Sequence, residues 1–225
     1  MSGRRPSLER ERALWALGGG VVAGVDEAGR GPLAGPVVAA AVVFPPMCAP
    51  IRGLRDSKML GAPARERLAA MVRARAAGVG VGAASVREID RLNIRRATIL
   101  AMRRALSRLR ITPTHILVDG LPVPELGAPH EAIVDGDALC HSIAAASVIA
   151  KTVRDLLMQR LAPRYAAYGW ASNKGYGTPE HLEALFVHGY TVHHRKTFAP
   201  VVQLELTGLT TVSKLQSPGE ALSDR

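Results

Sequence analysis

The chain is poor in aromatic residues and cysteine, and it has no long apolar run. Only 4% of its 225 residues are aromatic although 48% are hydrophobic, so a core must be built from Ala, Val, Leu and Ile. Cys48 and Cys140 have no C-x-x-C partner, which argues against a disulfide framework and favours a reduced, cytoplasmic compartment. No stretch of ~18 apolar residues could span a membrane, and residues 1–12 lack a signal-peptide core. We therefore expect a cytoplasmic protein without a membrane partner.

Basic residues are in excess. The chain has 29 Lys and Arg against 19 Asp and Glu, with a formal charge of +10. This balance favours a polyanionic partner such as nucleic acid. The alternative is a basic surface that only keeps the protein soluble, and charge alone does not separate the two.

Apolar runs and helical periodicity alternate along the chain and predict an α/β fold. Continuous apolarity in 21–26 and 36–44 favours strands buried on both faces, and hence a central sheet. Further strands are predicted at 78–85 and 115–120, and helices at 63–77, 86–110, 138–161 and 179–188. We divide the chain into a flexible arm (1–14), a catalytic domain (15–202) and a disordered tail (203–225).

Four acids stand at the ends of these elements. Asp26 and Glu27 end the first strand, Asp119 ends a later one, and Asp137 precedes the long helix. Asp137 could merely cap that helix, and Asp119 before Gly120 could merely form a turn. Asp26 and Glu27 would point to opposite faces of a regular strand. If both serve one site, we expect a bend or bulge there, which the following glycines would permit.

Carboxylates that gather at one site repel each other and retain protons unless a cation neutralises them. Oxygen ligands select hard ions, so the expected cofactor is Mg²⁺ or Mn²⁺. Two such ions about 3.5–4 Å apart can activate water and stabilise the leaving oxygen in phosphodiester cleavage. This chemistry agrees with a basic, polyanion-binding surface.

At DEAGRGPLAGPVVAAAVV (26–43) the chain resembles the ribonuclease HII family, the type 2 ribonucleases H. Further matches follow in family order and cover roughly 20–201: LRDSKML (54–60), EIDRLNI (88–94), HILVDG (115–120), GDALCHSIAAASVIAKTVRD (136–155), NKGYGT (173–178) and HHRKTFAP (193–200). The resemblance implies a ribonuclease H-like fold with a mixed central sheet flanked by helices and a helical C-terminal part.

The resemblance also implies roles for individual residues. Asp26, Glu27, Asp119 and Asp137 are the implied catalytic and metal-binding acids, with the GD pair favouring Asp137 over Asp135. In the family, Gly29, Arg30 and Gly31 read the ribonucleotide 2′-hydroxyl, and the tyrosine of KGYGT, here Tyr176, packs on the adjoining deoxyribose. The glycines could also serve only the turn, and Tyr176 only surface packing.

Basic residues in the matching motifs are candidates for phosphate contacts, although most basic side chains only solvate a surface. The candidates are Lys58, Lys151, Arg154, Lys174, Arg195 and Lys196. We reject a metal site at His193 and His194, because adjacent histidines do not suffice for one and the segment resembles a basic stretch of the family. A sliding-clamp contact through the tail near Gln216 lacks a convincing aromatic motif.

The implied activity is endonucleolytic cleavage of the RNA strand of RNA–DNA hybrids, and 5′ to single ribonucleotides in duplex DNA, by a monomer. It leaves 3′-hydroxyl and 5′-phosphate ends and serves ribonucleotide excision repair and primer removal. One rival is ribonuclease HIII, which usually has Thr in place of Arg30 and an extra N-terminal domain, for which few residues precede Val21. A second rival is a nucleic-acid-binding module without catalysis. A nucleotide-binding domain is disfavoured, because G-x-G-x-x-G does not follow the first strand.

Overall fold

A mixed sheet lies at the centre of the protein. The computed structural model describes residues 5–18 and 20–206, and among these five strands form one sheet in the order β3-β2-β1-β4-β5. β1 pairs antiparallel with β2 and parallel with β4, which confirms the predicted mixed sheet. The strands are β1 (Val22–Ala28), β2 (Val37–Val43), β3 (Gly78–Ala84), β4 (His115–Asp119) and β5 (Glu131–Ile133).

Helices cover both faces of the sheet, as predicted. They are α1 (Glu9–Ala16), α2 (Ala62–Arg75), α3 (Val86–Leu92), α4 (Ile94–Ser107), α5 (Gly136–Leu139), α6 (His141–Leu161), α7 (Trp170–Asn173), α8 (Pro179–His188) and α9 (Val201–Leu206). α6 and α2 pack on one face, while α4 packs on the other. The segments after α6 pack around the buried Trp170 and form the helical C-terminal part.

Small residues let the central helix lie close to the sheet. Every residue of β2 is buried, as expected for a strand covered on both faces. α6 passes so close to β1 that a Cβ at Gly24 would lie 2.4 Å from the backbone nitrogen of Ile143. Side chains larger than Ala would separate these elements, because protein interiors have little free volume.

The structure interrupts two of the predicted helices. The helix expected over 86–110 is α3 and α4, divided at Asn93, whose φ of 68° leaves the helical region. The Asn93 side chain then accepts a hydrogen bond from the N–H of Arg96 and caps α4. The helix expected over 138–161 is divided at Cys140 into α5 and α6, because the Cys140 backbone is extended, with a φ of −108° and a ψ of 129°. Strand β5 was not predicted, because three residues at a sheet edge carry almost no periodic signal.

The ends of the chain differ in part from the predicted division. Residues 9–14 of the predicted arm are helical, and the buried Glu11 accepts hydrogen bonds from both the N–H and the hydroxyl of Ser142. These bonds attach α1 to the start of α6. Residues 203–206 of the predicted tail continue α9, and 207–225 lie outside the described residues. Within the part of the chain that the structure describes, no helix is long and apolar enough to cross a bilayer.

Candidate active site

Two neighbouring parallel strands carry acids near their C-terminal ends, at the same edge of the sheet. The pairing of β1 with β4 runs to Val25 opposite Val118. Asp26 and Asp119 occupy the next position on the two strands, so their side chains come from adjacent backbones. Sites form at the ends of parallel strands for this reason, because residues distant in sequence meet there.

Asp26 and Glu27 reach one cavity from opposite sides of β1. No bulge forms, since Asp26 pairs with Ala40 and Glu27 with Ala39 in unbroken register. The Asp26 carboxyl hydrogen-bonds to Ser147 on α6, while Glu27 also lines a second cavity on the α4 side of the sheet. Because the pairing with β4 ends before them, the edge of β1 is open at this point, and both side chains line the same space.

Asp137 joins this group through the backbone. Its N–H donates a 3.3 Å hydrogen bond to Oδ1 of Asp119. Asp135, the other acid of the same motif, lies exposed at the turn before α5 with a φ of 54°. The structure therefore brings Asp137 to Asp119 by direct contact and leaves Asp135 facing solvent.

The cavity at this edge measures about 410 Å³ and brings together residues from distant motifs. Arg30 and Gly31, from the loop after β1, lie on its wall with Tyr176, from the segment before α8. A Cβ at Gly31 would lie 4.0 Å from the Tyr176 ring. The complete lining is Asp26, Glu27, Ala28, Gly29, Arg30, Gly31, Ser57, Lys58, Asp119, Ser147, Lys151 and Tyr176.

The carboxyl groups of the site hold protons more tightly than ordinary acids. Burial raises the pKa of Asp26 well above its usual range, and the charges of Glu27 and Asp119 raise it further. Burial also raises the pKa of Glu27, which Arg30 partly offsets from 3.3 Å. The pKa of Asp137 is raised to about 6 by burial and by nearby carboxylates. This edge thus has an excess of negative charge that a cation would relieve.

Sequence reasoning missed Asp56 and Ser147. Asp56 hydrogen-bonds to Asp137 and, after burial, is the largest cause of the raised Asp137 pKa. Partial burial opposes a raised pKa at Lys58, but the carboxylates around it, Asp56 first, outweigh that effect. Asp56 stands in the matched segment LRDSKML, so the motif contained the signal. Ser147 is one small residue among many in α6, and only packing distinguishes it.

The acids at this edge offer oxygen ligands to a metal ion. Among the residues described, no three His, Cys, Asp or Glu side chains form a group that could hold an ion by themselves. Mg²⁺ commonly uses only one or two carboxylates, completed by water and substrate phosphates. Only oxygen ligands are offered by the acids Asp26, Glu27, Asp119 and Asp137, and their charge would attract such an ion. The residues present therefore fit a hard divalent cation.

Two predicted phosphate contacts must be corrected. Arg154 and Arg195 are fully buried, and their guanidinium groups donate to backbone carbonyl oxygens. Neither can reach a phosphate, since phosphate contacts require an exposed side chain. Lys58 and Lys151 line the cavity, Lys151 within 2.6 Å of Asp155, while Lys196 is exposed and its Nζ lies 4.9 Å from the Tyr190 ring centroid. Lys174 is half-buried and donates to the carbonyl of Ala171.

Two buried histidines support the backbone of Tyr176. The Nδ1 of His181 lies 2.8 Å from the carbonyl oxygen of Tyr176, and its Nε2 lies 3.0 Å from Nε2 of His194. His194 Nδ1 accepts from the N–H of Thr191, so its Nε2 carries the proton and donates to His181. Burial lowers the pKa of His194 to about 3, which keeps the pair neutral.

Comparison with known proteins identifies the family. Residues 23–201 match the family model described as Ribonuclease HII. The chain belongs to the ribonuclease HII family. It is therefore a ribonuclease H, a hydrolase that acts as an endoribonuclease. Ribonuclease HII of Acidovorax sp. (strain JS42) is 55% identical over 199 residues, which cover 88% of this chain and 95% of that protein.

Solved structures agree with the ribonuclease HII fold. The ribonuclease H2 of Pyrococcus horikoshii OT3 superposes with a TM-score of 0.72 at 28% identity, covering 83% of this chain and 98% of the other. The Bst ribonuclease HIII in complex with Mn²⁺ superposes with a TM-score of 0.64 at 20% identity, covering 87% and 73% of the two chains, and shows the fold alone. The cavity lined by Asp26, Glu27 and Asp119 thus lies at the ends of the central parallel strands of a member of the ribonuclease HII family.

Proposed function

We propose that the protein cleaves the RNA strand of RNA–DNA hybrids and cuts 5′ to single ribonucleotides embedded in duplex DNA. The observation that carries this proposal is the shared cavity, which is lined by Asp26, Glu27 and Asp119 together with Tyr176 and the loop around Arg30. The acids offer charge for phosphodiester chemistry, and Tyr176 and the loop around Arg30 offer groups that can distinguish one sugar from another. The products are a 3′-hydroxyl and a 5′-phosphate, and the cellular roles are ribonucleotide excision repair and primer removal.

Asp26, Glu27, Asp119 and Asp137 would hold Mg²⁺ or Mn²⁺, two ions during catalysis. A bound ion would supply activation of water and stabilisation of the leaving oxygen. The oxygen-only donor set of these acids supports a hard divalent ion. The carboxyl groups with raised pKa values, Asp26 foremost, would release their protons as the ion binds.

The groups proposed to read the sugars line the same cavity as the acids. The 2′-hydroxyl is what distinguishes RNA from DNA at a given nucleotide, so discrimination needs polar groups at close range. Gly31 is exposed and leaves the backbone beside Arg30 uncovered, so this backbone can approach a ribose. Gly29 also lines the cavity, and its missing side chain makes room for Arg154. Tyr176 has 43% of its surface exposed and would stack on the neighbouring deoxyribose. A site built around a hydroxyl disfavours substrates without it, because its polar groups would be left unpaired.

The decisive experiment compares matched duplexes that contain no ribonucleotide, one, or four and more, with Mg²⁺ and with chelator. The protein should cut the second and third only when Mg²⁺ is present. Tyr176→Ala should slow cleavage at the single ribonucleotide more than cleavage of the longer hybrid. Inability of the parent protein to cut the single-ribonucleotide duplex would refute the proposed specificity. A rate in chelator equal to that in Mg²⁺ would refute the metal-dependent mechanism.

A further inference from the structure

Arg154 and Arg195 are both fully buried in the same region, and their hydrogen bonds run to backbone carbonyls. We call these two residues the arginine pair. Arg195 donates to the carbonyl of Arg30 at 2.8 Å, to that of Gly29 at 2.5 Å and to that of Gly35 at 2.9 Å. A buried guanidinium carries a large desolvation cost, so the fold must retain it through these bonds.

Both arginines act on the segment 29–35, which we call the glycine loop. Arg195 binds carbonyls near the two ends of this loop, and Arg154 donates to the carbonyl of Ala34 at 3.0 Å. Contact with the loop is tight, because a Cβ at Gly29 would lie 1.9 Å from Nε of Arg154. The loop contains the backbone to which the proposed function assigns recognition of the ribose.

The pair also connects this loop to Tyr176. Arg154 donates a further 3.0 Å hydrogen bond to the carbonyl of Lys174, two residues before Tyr176. The carbonyl of Gly175 accepts from the N–H of Leu33, so the two segments also touch directly. A single guanidinium thus spans the glycine loop and the segment that carries the tyrosine.

We propose that Arg154 and Arg195 are positioning residues that set the spacing between the glycine loop and Tyr176, and thereby determine specificity for the junction between ribonucleotide and deoxyribonucleotide. The inference rests on the proposed function, since it assumes that these two segments read adjoining sugars. The arginine pair itself does not touch the substrate. Recognition from two sides requires both segments to be held within about 0.5 Å of their productive positions, which needs rigid supporting bonds.

Arg195→Lys tests the proposal because lysine retains the charge but loses the planar fork that spans several carbonyls. The measurement is kcat/KM on a duplex with one ribonucleotide and on one with four or more, with Mg²⁺ and the full chain. Arg104→Lys is the matched control, because Arg104 donates to the carbonyl of Ala83 and to Glu88 and does not line the cavity. Thermal unfolding of both variants measures the loss of stability separately.

We expect Arg195→Lys to reduce kcat/KM on the single-ribonucleotide duplex on the order of tenfold more than on the longer hybrid, since small displacements at a site have large effects on rate. Arg104→Lys should leave the ratio of the two rates unchanged. A purely structural role would lower both rates in proportion to the folded fraction, so a parental ratio in folded Arg195→Lys would overturn the inference.

Arg154→Lys provides a second variant if Arg195→Lys does not fold. If neither variant folds, the arginine pair serves the fold alone and the inference is wrong. Failure of the proposed function would be distinguishable, because it would show in the cleavage activity of the parent protein and not only in that of the variants. A parent that cannot cut the single-ribonucleotide duplex overturns both proposals, whereas a parent that cuts it and a variant with the parental ratio overturn only this one.

Discussion

Buried charged groups occur both at the acid-bearing edge of the sheet and around the arginine pair. The two regions differ in how far these groups are balanced by partners. At the edge, carboxyl groups face one another and their pKa values rise, as for Asp26. Around the arginine pair, each guanidinium donates to several carbonyls, and the neighbouring histidines are neutral. The first region is left with unbalanced charge of one sign, while the second is saturated with hydrogen bonds.

We infer from this contrast which residues would act on a substrate and which support the fold. Unbalanced charge beside an open cavity costs stability and is retained where a ligand can neutralise it, so perturbed pKa values mark functional sites. Saturated buried charge gives rigidity and exposes no group for chemistry. Arg154 and Arg195 belong to the saturated region and make no phosphate contact, although their motifs suggested one, because a motif shows a basic residue but not the direction of its side chain. Four predictions test the contrast, beginning with the largest expected effect.

Removal of an acid should abolish cleavage. Asp26→Asn and Asp137→Asn are each expected to lower kcat with Mg²⁺ by about 10³-fold or more, as for one member of a cooperating catalytic set. Asp135→Asn is the control and should retain most of the activity, because Asp135 is exposed. Steady-state cleavage of hybrid duplex measures all three. Near-normal turnover by Asp26→Asn or Asp137→Asn, or an inactive Asp135→Asn, would contradict the assignment.

A methyl group at Gly29 should destabilise the fold around the arginine pair. Gly29→Ala is expected to lower the free energy of unfolding by about 3 kcal/mol, because it combines left-handed strain with a collision at Arg154. Gly53→Ala is the matched control, since Gly53 has a φ of 87° against 94° and open space around its Cβ position. That variant should lose only about 1 kcal/mol. Equal losses in urea unfolding would show that Arg154 yields readily and that the region is not rigid.

Neutralising an acid should stabilise the metal-free protein. The folded-state pKa of Asp137, about 6, lies above its ordinary value of 3.8, so the parent loses stability as pH rises through this interval. Above pH 6, the free energy of unfolding of Asp137→Asn should therefore exceed that of the parent by about 1 kcal/mol, after allowance for solvent screening. Near pH 4 this difference should disappear. The buried histidines affect both proteins equally. Urea unfolding with chelator at several pH values measures the difference, and Mg²⁺ should reduce it.

The smallest effect concerns a single phosphate contact. Binding of hybrid duplex should weaken as salt rises, because contacts to phosphates release counterions. In an Asp26→Asn background, which prevents cleavage, Lys58→Gln should reduce the slope of log affinity against log salt by about 1. Arg110→Gln is the control. Arg110 is exposed and lies before the N-terminal end of β4, whereas the acids lie at the C-terminal end of the strand. An unchanged slope for Lys58→Gln would mean that Lys58 serves only as a partner of the carboxylates.

Much of the sheet could be predicted from the sequence because its signals are local. The apolar run of β2 has no polar alternation, and this alone indicates burial on both faces. The division at Asn93 escaped prediction, because apolar residues recur at helical spacing on both sides of it. Only a positive φ and a cap hydrogen bond reveal that two helices meet there.

The sequence by itself determined the family, and it predicted the four acids and the two candidate sugar-reading segments, because each stands in a motif of adjacent residues. Tertiary structure alone decided that Asp26 and Glu27 share a cavity without a bulge, since this depends on where β4 stops pairing. It also decided that Arg195 binds carbonyls 166 and 160 residues earlier in the chain, at Gly29 and Gly35. The physical reason is that a motif specifies chemical groups, whereas burial and hydrogen-bond partners arise only when distant segments pack together.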